Sequence, residues 1–169
     1  MMDIIFENAI NLFQSVVVTA FLMAGLGCKD KYNKKCTGII GIVITFIYLT
    51  VSNHIVFFES AGIYIYMVYS LIFSSLVLGG NVIEKIFYNV MMICCLAGSS
   101  LLGGGLVSLV VRRDFLNAHR YGTSERYISI IIIQIILVLF LGMIIKLRHI
   151  LKQNDNKYMV VMTIIPAIS

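Results

Sequence analysis

The sequence has few charged residues, a single proline and no tryptophan. Of its 169 residues, 12% are Asp, Glu, Lys or Arg, whereas 60% are hydrophobic. Soluble domains contain about 25% charged and about 45–50% apolar residues. So few charges cannot cover the surface that a soluble fold of this size leaves in water. Together with a mean hydropathy of +0.97, this composition indicates an integral membrane protein of helical type.

Basic residues are absent from the first apolar segment, since no Lys or Arg precedes Lys29. A secretory signal peptide begins with a basic region and ends at a small-residue cleavage site. This chain begins instead with Met1, Met2 and Asp3, and Glu7 follows. We therefore predict that the first apolar segment is retained as a membrane span.

The apolar residues form six runs, and none alternates with the period of two that a membrane β-strand requires. Five runs are close to or above the roughly 20 helical residues that cross a bilayer. We predict an all-α fold, a polytopic membrane helix bundle with five full spans and the start of a sixth. The spans cover residues 5–26, 38–58, 61–78, 86–111, 128–145 and, incomplete, 159–169.

The sixth run is too short to cross a membrane. Its 11 residues reach about 16 Å, roughly half of the hydrocarbon thickness. A chain that ended at this depth would leave unpaired carbonyl groups in lipid, which is costly. We therefore expect the sequence to be the front part of a longer protein. The alternative is a tail that re-enters the membrane or lies on its surface.

Lys and Arg residues lie in short clusters at the ends of apolar runs. There they orient helices and meet anionic lipid headgroups, so we expect the lipid bilayer and no nucleic acid as a partner. With the N-terminus outside, the inner loops carry nine Lys and Arg residues and the outer loops carry four. The positive-inside rule therefore predicts an outer N-terminus, although the fourth loop opposes it.

Polar residues within the first run share one helical face. Glu7, Asn11 and Gln14 are separated by four and three residues, the spacings that bring side chains together on a helix. Polar groups in lipid usually face the bundle interior or a wet cavity. The stripe is therefore a candidate ligand site that opens outward. Hydrogen bonding to neighbouring helices is the alternative.

His54 and Glu59 lie toward the outer end of the second run and just beyond it. His54 is a candidate to hold a ligand carboxylate or to respond to pH, or it is simply a solvated residue at the membrane interface. The four cysteines form two pairs, Cys28 with Cys36 and Cys94 with Cys95, and neither pair has companions that would make a metal site. We predict no metal, no cofactor and no catalytic residue.

Small residues in the fourth run predict close helix packing. Ser99 with Gly103, and Ser100 with Gly104, form small-xxx-small pairs that let two helices approach closely. The glycine run lacks the Lys-Ser/Thr ending of a phosphate-binding loop. Three consecutive glycines also weaken a helix, so a hinge is the alternative.

Two segments resemble a known family. Residues 84–88 (EKIFY) open the fourth run, and residues 157–169 (KYMVVMTIIPAIS) open the sixth. With the lysine-rich first inner loop, this layout resembles the membrane sensor region of Firmicute GHKL-type histidine kinases, the class that includes Agr-type peptide-pheromone receptors. In that family an aromatic residue, often Trp, precedes an I-P-x-x-S motif, and Tyr158 stands here in its place.

The resemblance implies that residues 1–169 are a multi-span sensor region of a two-component signalling system in a bacterial cell membrane. It implies an extracellular peptide ligand and a homodimer. A dimerisation helix and a GHKL ATPase module would follow, since neither a phosphoacceptor histidine motif nor an ATP-binding motif is present in this sequence.

Two other functions compete with the receptor. Vitamin-capture subunits of energy-coupling-factor transporters have similar length, about six helices and small residues where their partner packs. A peptide-processing membrane protease would need a Cys–His pair at the inner face. Cys28 and Cys36 would lie at that face, and His149 would have to reach them from the fifth loop.

Overall fold

The computed structural model describes residues 2–52, 57–111 and 124–152. These residues form five helices and no strand, which confirms the all-helical class for the described part of the chain. The helices are α1 (Met2–Leu26), α2 (Lys34–Ser52), α3 (Phe57–Val77), α4 (Val82–Val111) and α5 (Ser124–Lys152).

Four of the five helices are long and apolar enough to cross a membrane, namely α1, α2, α4 and α5. Within the described residues, α3 contributes a shorter apolar helix, Gly62–Val77, which is below the roughly 20 residues of a full span. The chain therefore has the helices of a multi-pass membrane protein, with four rather than five full spans shown. The predicted sixth run, residues 159–169, lies outside the described residues.

The helix ends differ from the predicted ends of the apolar runs. The second run was predicted to reach Phe58, but α2 ends at Ser52 and α3 already begins at Phe57. α4 and α5 begin before their apolar runs because polar residues such as Glu84 and Glu125 occupy their first turns.

The burial pattern of α2 is the reverse of that of a helix in a soluble protein. Its buried residues are Thr37, Gly41 and Thr45, spaced by four. Its branched apolar residues point away from the bundle, for example Ile39 and Ile47, which are 63% and 54% exposed. Small and polar residues between helices with apolar residues outside are the pattern expected in lipid.

Contacts between α1 and α5 define the two ends of the bundle. Glu7 pairs with Arg126 near the start of both helices, and Arg148 donates a hydrogen bond to the carbonyl of Ala24 near the end of both. α1 and α5 are therefore parallel. We call the end at which α1, α3 and α5 begin the N-terminal end, and the opposite end the loop end.

The two connections at the loop end are hydrogen-bonded to each other. Gly27 ends α1 in the left-handed conformation, with a φ of 71°, and its N–H donates to the carbonyl of Met23, as in a common helix cap. Across the two connections, Gly79 N–H donates to Gly27 O at 3.0 Å and Lys29 N–H donates to Val77 O at 3.2 Å.

Side chains cap α3 and α4 at this same end. The Lys29 ammonium donates to the carbonyls of Ser75 and Leu76 at 2.7 and 3.0 Å, where a cation also complements the helix dipole. Asn81 and Glu84 form a reciprocal capping box, because each side chain accepts a hydrogen bond of 2.8 Å from the other residue's N–H. These caps hold the loop end together.

The hydrophobic core lies mainly in the half of the bundle near the loop end. Its most deeply buried members include Val18 and Leu22 of α1, Tyr88 and Met92 of α4, and Leu137 of α5. Tyr88 packs against Gly25, where an added Cβ would lie 2.6 Å from the ring. The half toward the N-terminal end is less tightly packed and contains a cavity.

Candidate ligand-binding cavity

A cavity of about 340 Å³ lies between the helices, and all five contribute to its wall. This volume is at the lower end of the range of about 300–1,000 Å³ found for small-molecule sites. Its polar lining consists of Gln14, Tyr48, Ser52, Tyr66, Ser99, Ser100 and Gln134. Its apolar lining includes Leu49, Ile63, Leu96, Ile133 and Leu137.

Three buried polar atoms at this cavity have no hydrogen-bond partner among the described residues: Ser52 Oγ, Tyr66 Oη and Gln134 Oε1. Tyr66 is 5% exposed and Gln134 is 7% exposed. Buried polar groups are normally paired, and an unpaired one costs about 1–3 kcal/mol. Their concentration at one cavity indicates that the cavity takes polar partners, either water or a ligand.

The two glutamines of the wall are hydrogen-bonded to each other. Gln134 Nε2 of α5 donates to Gln14 Oε1 of α1 at 3.2 Å. This bond uses the amide N–H of Gln134 and leaves its carbonyl oxygen available at the cavity. Gln14, predicted from the sequence as a ligand residue, therefore lies at the cavity. It contacts Gln134, which is 120 residues further along the chain.

Aromatic side chains form the part of the wall between α2 and α3. Tyr48 Oη donates to the carbonyl of Gly62 at 2.6 Å, and the Tyr48 and Tyr66 ring centroids are 5.2 Å apart. Behind them, the hydroxyls of Thr45 and Tyr69 are hydrogen-bonded at 2.8 Å. The ring of Tyr66 is thus held in place by its neighbours while its hydroxyl lacks a partner.

The rest of the polar stripe on α1 does not line the cavity. Glu7 forms an ion pair with Arg126 at 2.5 Å, with side chains 21% and 15% exposed. Two helical turns, or about 10 Å, separate Glu7 from Gln14 along α1. Asn11 is buried, with 6% of its surface exposed. Of the three stripe residues, Gln14 is the one at the cavity wall.

The side chains of the other two predicted ligand residues, His54 and Glu59, lie outside the described part of the chain. His54 lies outside the described residues. Glu59 belongs to the first turn of α3, and its side chain is likewise outside the described part. The end of α2 and the start of α3 meet at the cavity through Ser52 and Gly62.

The small residues of α4 lie at the cavity and at the contact with α5. Ser99 is buried and donates to the carbonyl of Leu96 at 3.0 Å, and Ser100 is exposed on the cavity wall. An added Cβ at Gly103 would lie 2.5 Å from Ile133 Cγ1 and 3.1 Å from the Ile133 backbone. Gly104 is also buried.

Five residues were not anticipated from the sequence: Tyr48, Ser52, Tyr66 and Gln134 of the cavity wall, and Arg126, the partner of Glu7. Gln134 is the only amide in the fifth apolar run, and an amide side chain in a span is costly unless it faces the bundle, so the sequence contains a signal for it. Arg126 lies in the first turn of α5, which is parallel to α1. A base there and an acid at the start of α1 are on the same side of the membrane in any alternating bundle.

Nothing in the described residues brings metal ligands together. Groups of three or more His, Cys, Asp or Glu side chains are absent from that part of the chain. The four cysteines are free thiols. No protein-family model matches this sequence, and comparisons with curated proteins and with solved structures found no match.

Proposed function

We propose that this chain is the membrane-embedded sensor region of a bacterial GHKL-type histidine kinase, and that it binds part of an extracellular peptide. The observation that carries the proposal is the cavity, because every described helix contributes to it and three of its polar atoms lack partners among the described residues. A bound peptide group would supply those partners. The resemblance of residues 84–88 and 157–169 to the sensor family supports the same function.

The charge distribution supports an outward position for the cavity. The loop end carries Lys29, Lys31, Lys34 and Lys35, which the positive-inside rule assigns to the cytoplasm. The N-terminus and the cavity half of the bundle then face outward. In this proposal α3 is the fifth span, which its 21 residues permit because a helix of that length extends about 31 Å.

α5 is the element that would transmit occupancy of the cavity. It contributes Gln134 and Leu137 to the wall and continues to the loop end, where Arg148 lies 5.3 Å from the ring centroid of Tyr88. A ligand changes output only if it binds two conformations unequally. A ligand that competes for Gln134 would alter the contact between α1 and α5, and a displacement of α5 would reach the cytoplasmic side in a homodimeric receptor.

The test is the reading frame of the gene beyond Ser169. The proposal expects the frame to continue through a further span into a dimerisation helix and an ATP-binding kinase module. Autophosphorylation of that full-length protein in membrane vesicles would then be measured. A stop codon directly after Ser169 would contradict the receptor.

A second candidate function is supported by the size of the cavity. About 340 Å³ is enough for a whole small molecule but only for part of a peptide. This favours a substrate-binding membrane subunit of an energy-coupling-factor transporter. A stop codon after Ser169 next to a gene for a transport ATPase would support this candidate.

A further inference from the structure

We infer that the cavity is selective for an uncharged group, a neutral amide attached to an apolar body. The inference deepens the proposed function and rests on its ligand-binding part, and it holds equally for a receptor and for a transport subunit. Three features of the wall support this inference: the lack of charged side chains among its described residues, its hydrogen-bonding atoms and its apolar surface.

The described residues of the wall carry no charge. None of the side chains that line the cavity is Asp, Glu, Lys, Arg or His. The nearest charges identified on α1 and α5 are Glu7 and Arg126, and these are paired with each other. Among the described residues of the wall, a carboxylate or ammonium in the cavity would meet no counter-ion. Burying such a charge without a partner is far more costly than burying an amide.

The unpartnered atoms match both halves of an amide. Gln134 Oε1 can only accept a hydrogen bond, so it needs a ligand N–H or O–H. The hydroxyls of Ser52 and Tyr66 can donate as well as accept, so they suit a ligand carbonyl. A carboxylate has no proton to give to Gln134, and an ammonium has no lone pair to accept from Tyr66. An amide carries both groups.

The remaining wall suits an apolar body. Leu49 of α2, Ile63 of α3, Leu96 of α4 and Leu137 of α5 line the cavity together with the tyrosine rings. Each methylene buried against such a surface contributes to binding. An amide on an aromatic or branched aliphatic side chain therefore combines both requirements.

Three probes that differ in charge test the selectivity. The purified chain in lipid nanodiscs is titrated with N-acetylphenylalaninamide, with its free acid N-acetylphenylalanine, and at pH 6 with protonated phenylalaninamide. Binding is followed by saturation-transfer NMR. We expect the neutral probe to bind at least about tenfold more tightly than either charged probe. Equal or tighter binding of a charged probe would overturn the inference, as would no binding of the neutral probe, which would leave a cavity for water only.

Two tyrosine variants locate the binding at this cavity. Tyr66→Phe removes the unpartnered hydroxyl and is expected to weaken the neutral probe by about 3–10-fold, with no loss of thermal stability. Tyr69→Phe is the matched control, because the Tyr69 hydroxyl bonds Thr45 and does not line the cavity. Unchanged affinity in Tyr66→Phe would place the binding elsewhere and overturn the inference.

The outcome is separable from that of the proposed function. A stop codon after Ser169 would remove the kinase but leave the ranking of the three probes unaffected. If a charged probe bound best, the inference of an uncharged amide ligand would be wrong. The reading frame and the kinase activity would not be affected by that result.

Discussion

Glu7 and Arg126 form an ion pair between the first and last described helices. Both are largely removed from solvent in the protein, and their contact is short. Removing one partner of such a pair leaves the other charge poorly solvated, which costs more than removing both. The pair therefore stabilises the contact between α1 and α5 at a position two helical turns from the cavity.

Arg126→Gln is expected to lower the free energy of unfolding by about 1–3 kcal/mol, because it leaves the Glu7 carboxylate without its partner. The double variant Glu7→Gln/Arg126→Gln is expected to lose less than the sum of the two single variants, with a coupling of at least about 0.5 kcal/mol. The free energy of unfolding of the parent, the two single variants and the double variant is measured in mixed detergent micelles. Additive losses would show that the two side chains do not interact in the membrane.

At the scale of elements, the contact between α4 and α5 depends on the absence of a side chain at one glycine. The space at Gly103 is occupied by Ile133, including its backbone, whereas an added Cβ at Gly105 would have nothing within 4 Å. The two glycines are two residues apart on the same helix, so they have the same intrinsic effect on helix stability and differ in packing.

Gly103→Ala is expected to destabilise the bundle by about 1–3 kcal/mol, because the backbone of Ile133 cannot move aside cheaply. Gly105→Ala is the control and is expected to be neutral or to stabilise by up to about 1 kcal/mol, since alanine is the better helix former. Thermal unfolding in detergent compares the two. If both variants behave alike, the close approach at Gly103 is not a determinant of stability.

The capping box at the start of α4 gives a second prediction at this scale. Asn81→Ala removes the acceptor for the Glu84 N–H and is expected to cost about 0.5–2 kcal/mol. Asn81→Asp retains a side-chain acceptor at the same place and is expected to stay close to the parent protein. Equal losses in both variants would indicate that the cap does not stabilise α4.

At the scale of the whole molecule, orientation in the membrane is the property on which the proposed receptor depends. With the N-terminus outside, Cys28 and Cys36 are cytoplasmic and residue 60 is external. A Ser60→Cys variant without the native cysteines is expected to react with membrane-impermeant maleimide on intact cells. A protein that retains only Cys28 and Cys36 is expected to react only after lysis. The reverse pattern would place the loop end and its lysines outside and contradict the proposed topology.

The sequence alone was sufficient for the membrane class, the all-helical fold and the approximate helix ranges. These depend on the length and composition of single segments, since a run of apolar residues must satisfy its own backbone in lipid and does so as a helix. Hydrophobicity does not by itself fix where one helix gives way to the next, since the second run was predicted to reach Phe58 whereas Phe57 already belongs to α3. The fifth full span, over residues 61–78, stays a prediction, since among the described residues α3 contributes the shorter apolar helix Gly62–Val77.

The tertiary structure decided which polar residues meet. Glu7 and Gln14 share one face of α1, yet the first is paired with Arg126 and the second lines the cavity with Gln134. Helical spacing places side chains on a face, but it does not say which helix that face contacts. Lipid solvates apolar surface as well as another helix does, so hydrophobicity does not select partners in a membrane. The partners are selected by close packing at small residues and by hydrogen bonds between residues far apart in the chain, and these exist only once the bundle has assembled.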